Sequence, residues 1–137
     1  MAPLGVGIVG ARFAAELHAV NYRPLIPTRV RLAAVCSRTR GDVETFARHH
    51  DIPRAFTDAQ ELIECPEVEV VDICSTTDSH HQIAGAGGGG GEHGVVEKPL
   101  TGFFGAASVD RGTMLETALR NSDAVLEAVA KAGTTLC

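Results

Sequence analysis

Leu4-Gly-Val-Gly-Ile-Val-Gly-Ala-Arg-Phe-Ala-Ala15 decides how the rest of the chain is read. Its first half, Leu4–Val9, is a short apolar run closed by Gly10, the pattern of a buried strand. Its second half opens a helix. Phe13, Leu17 and Val20 recur at helical spacing and Pro24 stops the run, so the pattern predicts a helix over Arg12–Val20 with those side chains inward. Strand, glycine turn and helix are the parts of the dinucleotide fingerprint G-x-G-x-x-G/A. Gly10 and Ala15 fill its first and third positions. Arg12 takes the second, where a side chain crowds a pyrophosphate unless it swings outward to pair with a phosphate. An ordinary strand–helix turn fits the same residues.

The unit repeats downstream. Val30–Cys36 reads as a second strand, and Asp42–His50 as a helix with Val43, Phe46 and Ala47 on one face. Ala55-Phe56 is a very short strand. Asp58-Ala-Gln-Glu61 reads as a capping box opening a small helix with Leu62 and Ile63 inward. Val68–Cys74 is the strongest strand signal, being rich in β-branched residues. Ser79–Ala84 begins another helix, Gly94–Val96 is a short strand, and Thr113–Ala132 is a long amphipathic helix. Leu115, Leu119, Leu126 and Val129 mark its apolar face, and Gly133 sits at its C-terminal cap. Thr134–Cys137 starts one more strand. Alternating strands and helices predict right-handed crossovers and a parallel sheet covered on both faces. The expected fold is a doubly wound α/β domain of three layers, a Rossmann fold, with ligands at the carboxyl ends of its strands.

Two segments interrupt the alternation. Six of the fifteen glycines fall within Gly85–Gly91, where a crossover helix should continue. At about 1 kcal/mol each relative to Ala, they would cost on the order of 6 kcal/mol in a helix. Either the helix frays after about two turns, or the glycines do not stand for the true side chains there. The second segment, Thr101–Gly112, is a loop whose Phe103 and Phe104 read as plain packing or as a partner contact.

The 137 residues correspond to one domain. A formal charge of −5 and a pI of about 5.6 argue against a basic nucleic-acid-binding surface. No apolar run is long enough for a membrane span, and the first residues lack the pattern of a signal peptide. Cys36, Cys65, Cys74 and Cys137 match no zinc spacing and read as buried thiols, unpaired in a reducing, cytoplasmic setting. The adjacent pairs His49-His50 and His80-His81 point apart on a helix, so no metal site is expected from them.

Chemistry concentrates at strand ends. Ser37-Arg38-Thr39-Arg40 stands where NAD-selective folds usually place an acidic residue on the ribose. A hydroxyl and guanidinium suit a 2′-phosphate, and hence NADP, although the nearby Asp42 keeps NAD open; a solvated basic turn is the plainer alternative. Ser75-Thr76-Thr77 offers hydroxyls for a ribose, while Ser79 fits an N-cap. Glu97-Lys98-Pro99 follows a strand directly. Lys98 is placed to hydrogen-bond substrate or a nicotinamide carboxamide; as a surface pair, Glu97 and Lys98 would contribute little. Since about 5–6% of X–Pro bonds are cis, both isomers of Lys98–Pro99 stay open.

These motifs, taken in order, resemble the N-terminal domain of the glucose–fructose oxidoreductase / inositol dehydrogenase (Gfo/Idh/MocA) family. The segments that carry the likeness are Val6–Ala11, Phe13–His18, Ala34–Arg38, Pro66–Asp72, Cys74–His80 and Val95–Leu100, whose Glu-Lys-Pro is the family hallmark. The resemblance implies an NAD(P)-dependent oxidoreductase of sugars, inositols and related polyols, commonly a homo-oligomer. It implies that Gly10, Arg12 and Phe13 surround the pyrophosphate and that Ser37 and Arg38 hold the adenosine end. Ser75, Thr76 and Thr77 would line the nicotinamide ribose side, with His80, Glu97 and Lys98 nearby and Lys98 closest to the chemistry. Three positions depart from the family pattern: Arg12 for the middle glycine, Thr76 for a proline, and the glycine run for an Ala-rich helix. The family's acid/base residues belong to a second α/β domain, so residues 1–137 are expected to be the nucleotide-binding half and inactive alone. A non-enzymatic NAD(P)-sensing module is the alternative.

Overall fold

The computed structural model describes residues 2–137. Its elements run β1 (Leu4–Val9), α1 (Phe13–Tyr22), β2 (Val30–Cys36), α2 (Arg40–His49), β3 (Arg54–Phe56), α3 (Ala59–Ile63), β4 (Val70–Ile73), α4 (Thr77–Gly90), β5 (His93–Val96) and α5 (Arg111–Ala132). The strands form one parallel sheet in the order β3-β2-β1-β4-β5. The expected last strand extends this sheet only as a bridge. Leu136 pairs with Gly94, and Cys137 exchanges backbone hydrogen bonds with Gly94 and Val96.

Two apolar clusters cover the two faces of the sheet. On one, Val6, Ile8, Leu32 and Val35 pack against Ala15 and Ala19 of α1 and Val43, Phe46 and Ala47 of α2. On the other, Val9, Ala33, Val71 and Ile73 pack against Leu62, Ile63, Ala84 and Val125 from α3, α4 and α5. The strands are buried on both sides, which is why they read as continuous apolar runs rather than as alternation.

Several expectations are corrected. In α1 the inward face is Ala15 and Ala19, both fully buried, whereas Phe13, Leu17 and Val20 are exposed. Small residues let the helix lie close to the sheet, and the large ones take the outer side. The face of α5 is misread in the same way. Val125 is buried and Val129 packs inward, while Leu115, Leu119 and Leu126 are exposed. Strand β4 is shorter than Val68–Cys74, because Val68 closes a turn onto the Cys65 carbonyl. Asp58 does cap α3, accepting from the Gln60 N–H at 2.9 Å.

The glycine run does not fray. Helix α4 continues to Gly90 and ends at Gly91, whose φ of 110° is the left-handed cap conformation glycine favours. The run is held by neighbours rather than by propensity. A Cβ at Gly88 would lie 2.7 Å from a Val129 methyl, and one at Gly87 would meet Val71 at 3.5 Å. Absent side chains here bring α4 against α5 and the sheet.

Candidate functional site

A cavity of about 600 Å³ opens at the carboxyl ends of β1, β2 and β4. It lies where the strand order reverses, the position at which doubly wound sheets bind ligands. Its floor is the first turn. Gly10 has φ 125°, and a Cβ there would come within 2.7 Å of the Cys74 carbonyl, so both conformation and space demand glycine. The turn delivers Arg12 to the N-cap of α1, where no side chain caps the helix. The first N–H groups of α1 are therefore left for an anion.

The cavity brings together Gly10, Arg12, Ser37, Arg38, Ser75 and Thr76, six of the residues picked from the sequence. The Arg12 side chain points outward, largely exposed, with Nη2 3.5 Å from Asp42 Oδ2. It leaves room over the turn rather than crowding it. Sequence reasoning missed Thr57, Gln82 and Ile83 as lining residues. A hydroxyl just after the short strand β3 was the one available signal among them. Ser79 is not the N-cap of α4; Thr76 is, and Ser79 donates to the Thr76 carbonyl at 2.8 Å and meets Ser75 Oγ at 2.8 Å.

Five of the picked residues lie outside this lining. Phe13 is the first residue of α1 and 83% exposed. Thr77 is the first residue of α4. His80 is buried, with Nδ1 3.0 Å from the Pro99 carbonyl and Nε2 3.0 Å from the Ser75 carbonyl. It ties the loop after β5 to the start of α4 and takes no part in the cavity wall. Glu97 and Lys98 follow β5, the Lys98–Pro99 peptide is cis, and the Lys98 side chain is 93% exposed.

Beneath Glu97 sits a polar cluster that sequence reasoning did not find. His18 Nδ1 lies 2.9 and 3.0 Å from the two oxygens of fully buried Asp72, and its Nε2 lies 3.2 Å from Glu97 Oε1. Tyr22 donates to Asp72 Oδ2 at 2.9 Å. Burial works to lower the pKa of His18, but its hydrogen bonds and charge interactions with Asp72 and Glu97 outweigh it, so the pKa is raised. The hydrogen bond from His18 lowers that of Glu97. The Cys74 thiol, 3.3 Å from His18 Nδ1, is pushed far up by burial and by Asp72, so it stays protonated.

One exclusion from the sequence does not hold geometrically. His49 and His50 both reach Glu16, at 3.7 and 2.8 Å, because His50 stands at the C-cap of α2 and leaves the helical path. The hydrogen bond from His50 lowers the pKa of Glu16. All four cysteines are free; Cys36, Cys65 and Cys74 are buried as expected, but Cys137, the last residue of the edge bridge, is exposed. Among the described residues no helix is long and apolar enough to cross a membrane.

The comparisons agree with this geometry. The family model GFO_IDH_MocA, described as "Oxidoreductase family, NAD-binding Rossmann fold", matches residues 4–130. Levoglucosan dehydrogenase of Pseudarthrobacter phenanthrenivorans is 28% identical over 109 residues, covering 73% of this chain and 27% of the relative. Myo-inositol 2-dehydrogenase of Thermotoga maritima is 29% identical over 106 residues, covering 77% and 30%. Among solved structures, biliverdin reductase of Synechocystis in complex with biliverdin and NADP+ superposes with a TM-score of 0.79 at 25% identity. That match covers 98% of this chain and 37% of the other. The chain thus spans about a third or less of the length of these relatives. It belongs to the Gfo/Idh/MocA oxidoreductase family and folds as that family's NAD-binding Rossmann domain.

Proposed function

We propose that residues 1–137 are the nucleotide-binding part of an NAD(P)-dependent dehydrogenase of sugars, inositols or related polyols. The observation that carries this reading is the cavity at the strand ends, with a glycine floor and an uncapped helix N-terminus facing it. The residues present fit a dinucleotide. Gly10 and the α1 N-terminus would take the pyrophosphate, Ser37 and Arg38 the adenosine ribose, and Ser75 and Thr76, with Thr77 just beyond the lining, the nicotinamide ribose. When bound, the nicotinamide supplies hydride acceptance or donation.

What this chain adds is placement. Lys98, outside the cavity lining and directed by Glu97, is the side chain offered to substrate or to the nicotinamide carboxamide as a hydrogen-bond donor. Hydride transfer from a secondary alcohol also needs a base held in one geometry with the donor carbon. In this reading that base and the polyol pocket come from a second α/β domain, in keeping with the relatives' threefold greater length. Substrate class then varies with that domain, as the levoglucosan, myo-inositol and biliverdin in the relatives' names suggest.

Arg38 and Ser37 favour NADP over NAD through a 2′-phosphate contact. The test is a fluorescence titration of the chain with NADPH and NADH, repeated on Arg38→Ala. Binding of NADPH that weakens roughly tenfold or more in the variant, with NADH little changed, is expected for a lost charge-assisted phosphate contact. A folded chain that binds neither nucleotide overturns the cofactor reading, and unchanged NADPH affinity in the variant overturns the 2′-phosphate role.

A further inference from the structure

We propose that His18 is a positioning residue: clamped between Asp72 and Glu97, it fixes the carboxylate that holds the Lys98 backbone, and so sets Lys98. This rests on the cofactor reading above for its functional half. The path is continuous and crosses three elements. Asp72 on β4 is fully buried and accepts from Tyr22 of α1. Its two oxygens face His18 Nδ1. On the far side of the ring, Nε2 faces Glu97 Oε1. The other oxygen, Glu97 Oε2, accepts from the Lys98 backbone N–H at 3.2 Å and lies 4.0 Å from Lys98 Nζ.

Both ring nitrogens of His18 therefore face carboxylates. A carboxylate only accepts, so both contacts are satisfied only when the ring carries a proton on each nitrogen. The groups around the ring agree. Asp72 and Glu97 are anionic neighbours, Cys74 is a protonated thiol beside Nδ1, and Lys98 is a cation reached through Glu97. The raised pKa of His18 is the consequence. Deprotonation removes one of the two N–H donors. Asp72 is buried and holds its side of the ring with two oxygens, whereas Glu97 is half-exposed with one. The contact released is the one to Glu97, and with it goes the restraint on the Lys98 loop.

The chain contains two lysines, Lys98 and Lys131, which makes the test simple. Protein labelled with 15N-lysine gives two backbone amide signals, and Lys131, in the last turn of α5, is the internal control. As pH rises above 6.5 and through the raised pKa of His18, the Lys98 signal should move with the midpoint of the His18 ring. The Lys131 signal should stay still. In His18→Gln the Lys98 signal should lose this movement. Nucleotide affinity in the unmodified chain should fall about threefold to tenfold over the same range, the scale of one ordinary hydrogen bond, and the variant should lack that step.

Should His18→Gln fail to fold, judged by the Lys131 signal and circular dichroism, Glu97→Gln is the second variant. It keeps the His18–Asp72 pair, lowers the ring's pKa and removes the response of Lys98. A Lys98 amide indifferent to pH in the unmodified chain, or one that moves equally in the variants, overturns the proposal. A moving amide with pH-flat nucleotide affinity overturns the positioning role and leaves a structural clamp. If no nucleotide binds at all, the cofactor reading falls, and with it the functional half; the amide still decides whether His18 sets Lys98.

Discussion

Arg12 Nη2 and Asp42 Oδ2 meet at 3.5 Å across the mouth of the cavity, joining the N-cap of α1 to the first turn of α2. Both side chains are substantially exposed, so the pair contributes little to stability. Its effect is on charge at the mouth. Asp42 holds Arg12 aside and places a carboxylate on the side where a 2′-phosphate would approach. Asp42→Asn is expected to tighten NADPH binding about threefold to tenfold relative to NADH. Paired titrations check this, and an equal change for both nucleotides refutes a discriminating role.

Gly10→Ala tests the floor of the site. The positive φ alone costs roughly 1–3 kcal/mol for a residue with a side chain. The Cys74 carbonyl at 2.7 Å adds a backbone overlap that cannot move aside cheaply. Denaturant melts should show a loss above that range together with weakened nucleotide binding. A variant as stable as the unmodified chain would mean the turn is not held in this conformation.

The glycines of α4 divide into two kinds. A Cβ at Gly85 or Gly89 meets nothing within 4 Å, and both are interior to the helix. Alanine at either should stabilise by about 0.5–1 kcal/mol. Alanine at Gly88 would press on Val129 and should destabilise by about 1–3 kcal/mol. Opposite signs, read by chemical denaturation, are the expected result; stabilisation at all three would show that α4 and α5 do not pack this closely.

Stability should depend on pH through the His18–Asp72–Glu97 cluster and through the Glu16–His50 pair. His18, raised above its ordinary 6.5, contributes stability that is fully present below that value and lost as pH rises through its folded pKa. Glu97 and Glu16, held below their ordinary 4.5, contribute stability present above that value and lost as pH falls through their folded pKa values. Melting temperature should therefore be highest between these limits and decline on both sides. In His18→Gln the alkaline decline should shrink, measured by melts across a pH series.

Thiol reactivity should separate the cysteines. Cys137 is exposed. Burial raises Cys36 to about 11, and Cys65 and Cys74 are likewise pushed up by burial. Since the thiolate is the reactive form, a chromogenic disulfide reagent at mildly alkaline pH should titrate one fast thiol in the folded chain and four in denaturant.

The order of elements was legible because β1, β2, β4 and β5 carry β-branched residues and α1 and α5 have recognisable stops at Pro24 and Gly133. What the pattern misjudged was orientation. In α1 and α5 the large residues Phe13, Leu17, Leu115 and Leu119 are the obvious apolar stripe, yet close packing selected Ala15, Ala19 and Val125. Periodicity counts hydrophobicity and is blind to how near two layers must come. Of the site, residues within the first turns after strands were legible, since the fold fixes where strand ends converge. The His18–Asp72–Glu97 cluster was not: its members lie 54 and 79 positions from His18, and no local spacing joins them. His49 and His50 show the converse error, since a helix rule was applied across a helix end.

Helix α4 carries five glycines before its cap, so its second half has little tendency to be helical alone. It persists because α5 lies against it and the strand end at Thr134–Cys137 closes the edge, with Thr134 Oγ1 donating to the Gly88 carbonyl. These parts should open together. Amide hydrogen exchange would show α5, the glycine half of α4 and the last bridge losing protection as one cooperative unit. The first half of α4, anchored by His80, would retain protection longer, so the wall of the cavity can outlast the release of its far buttress.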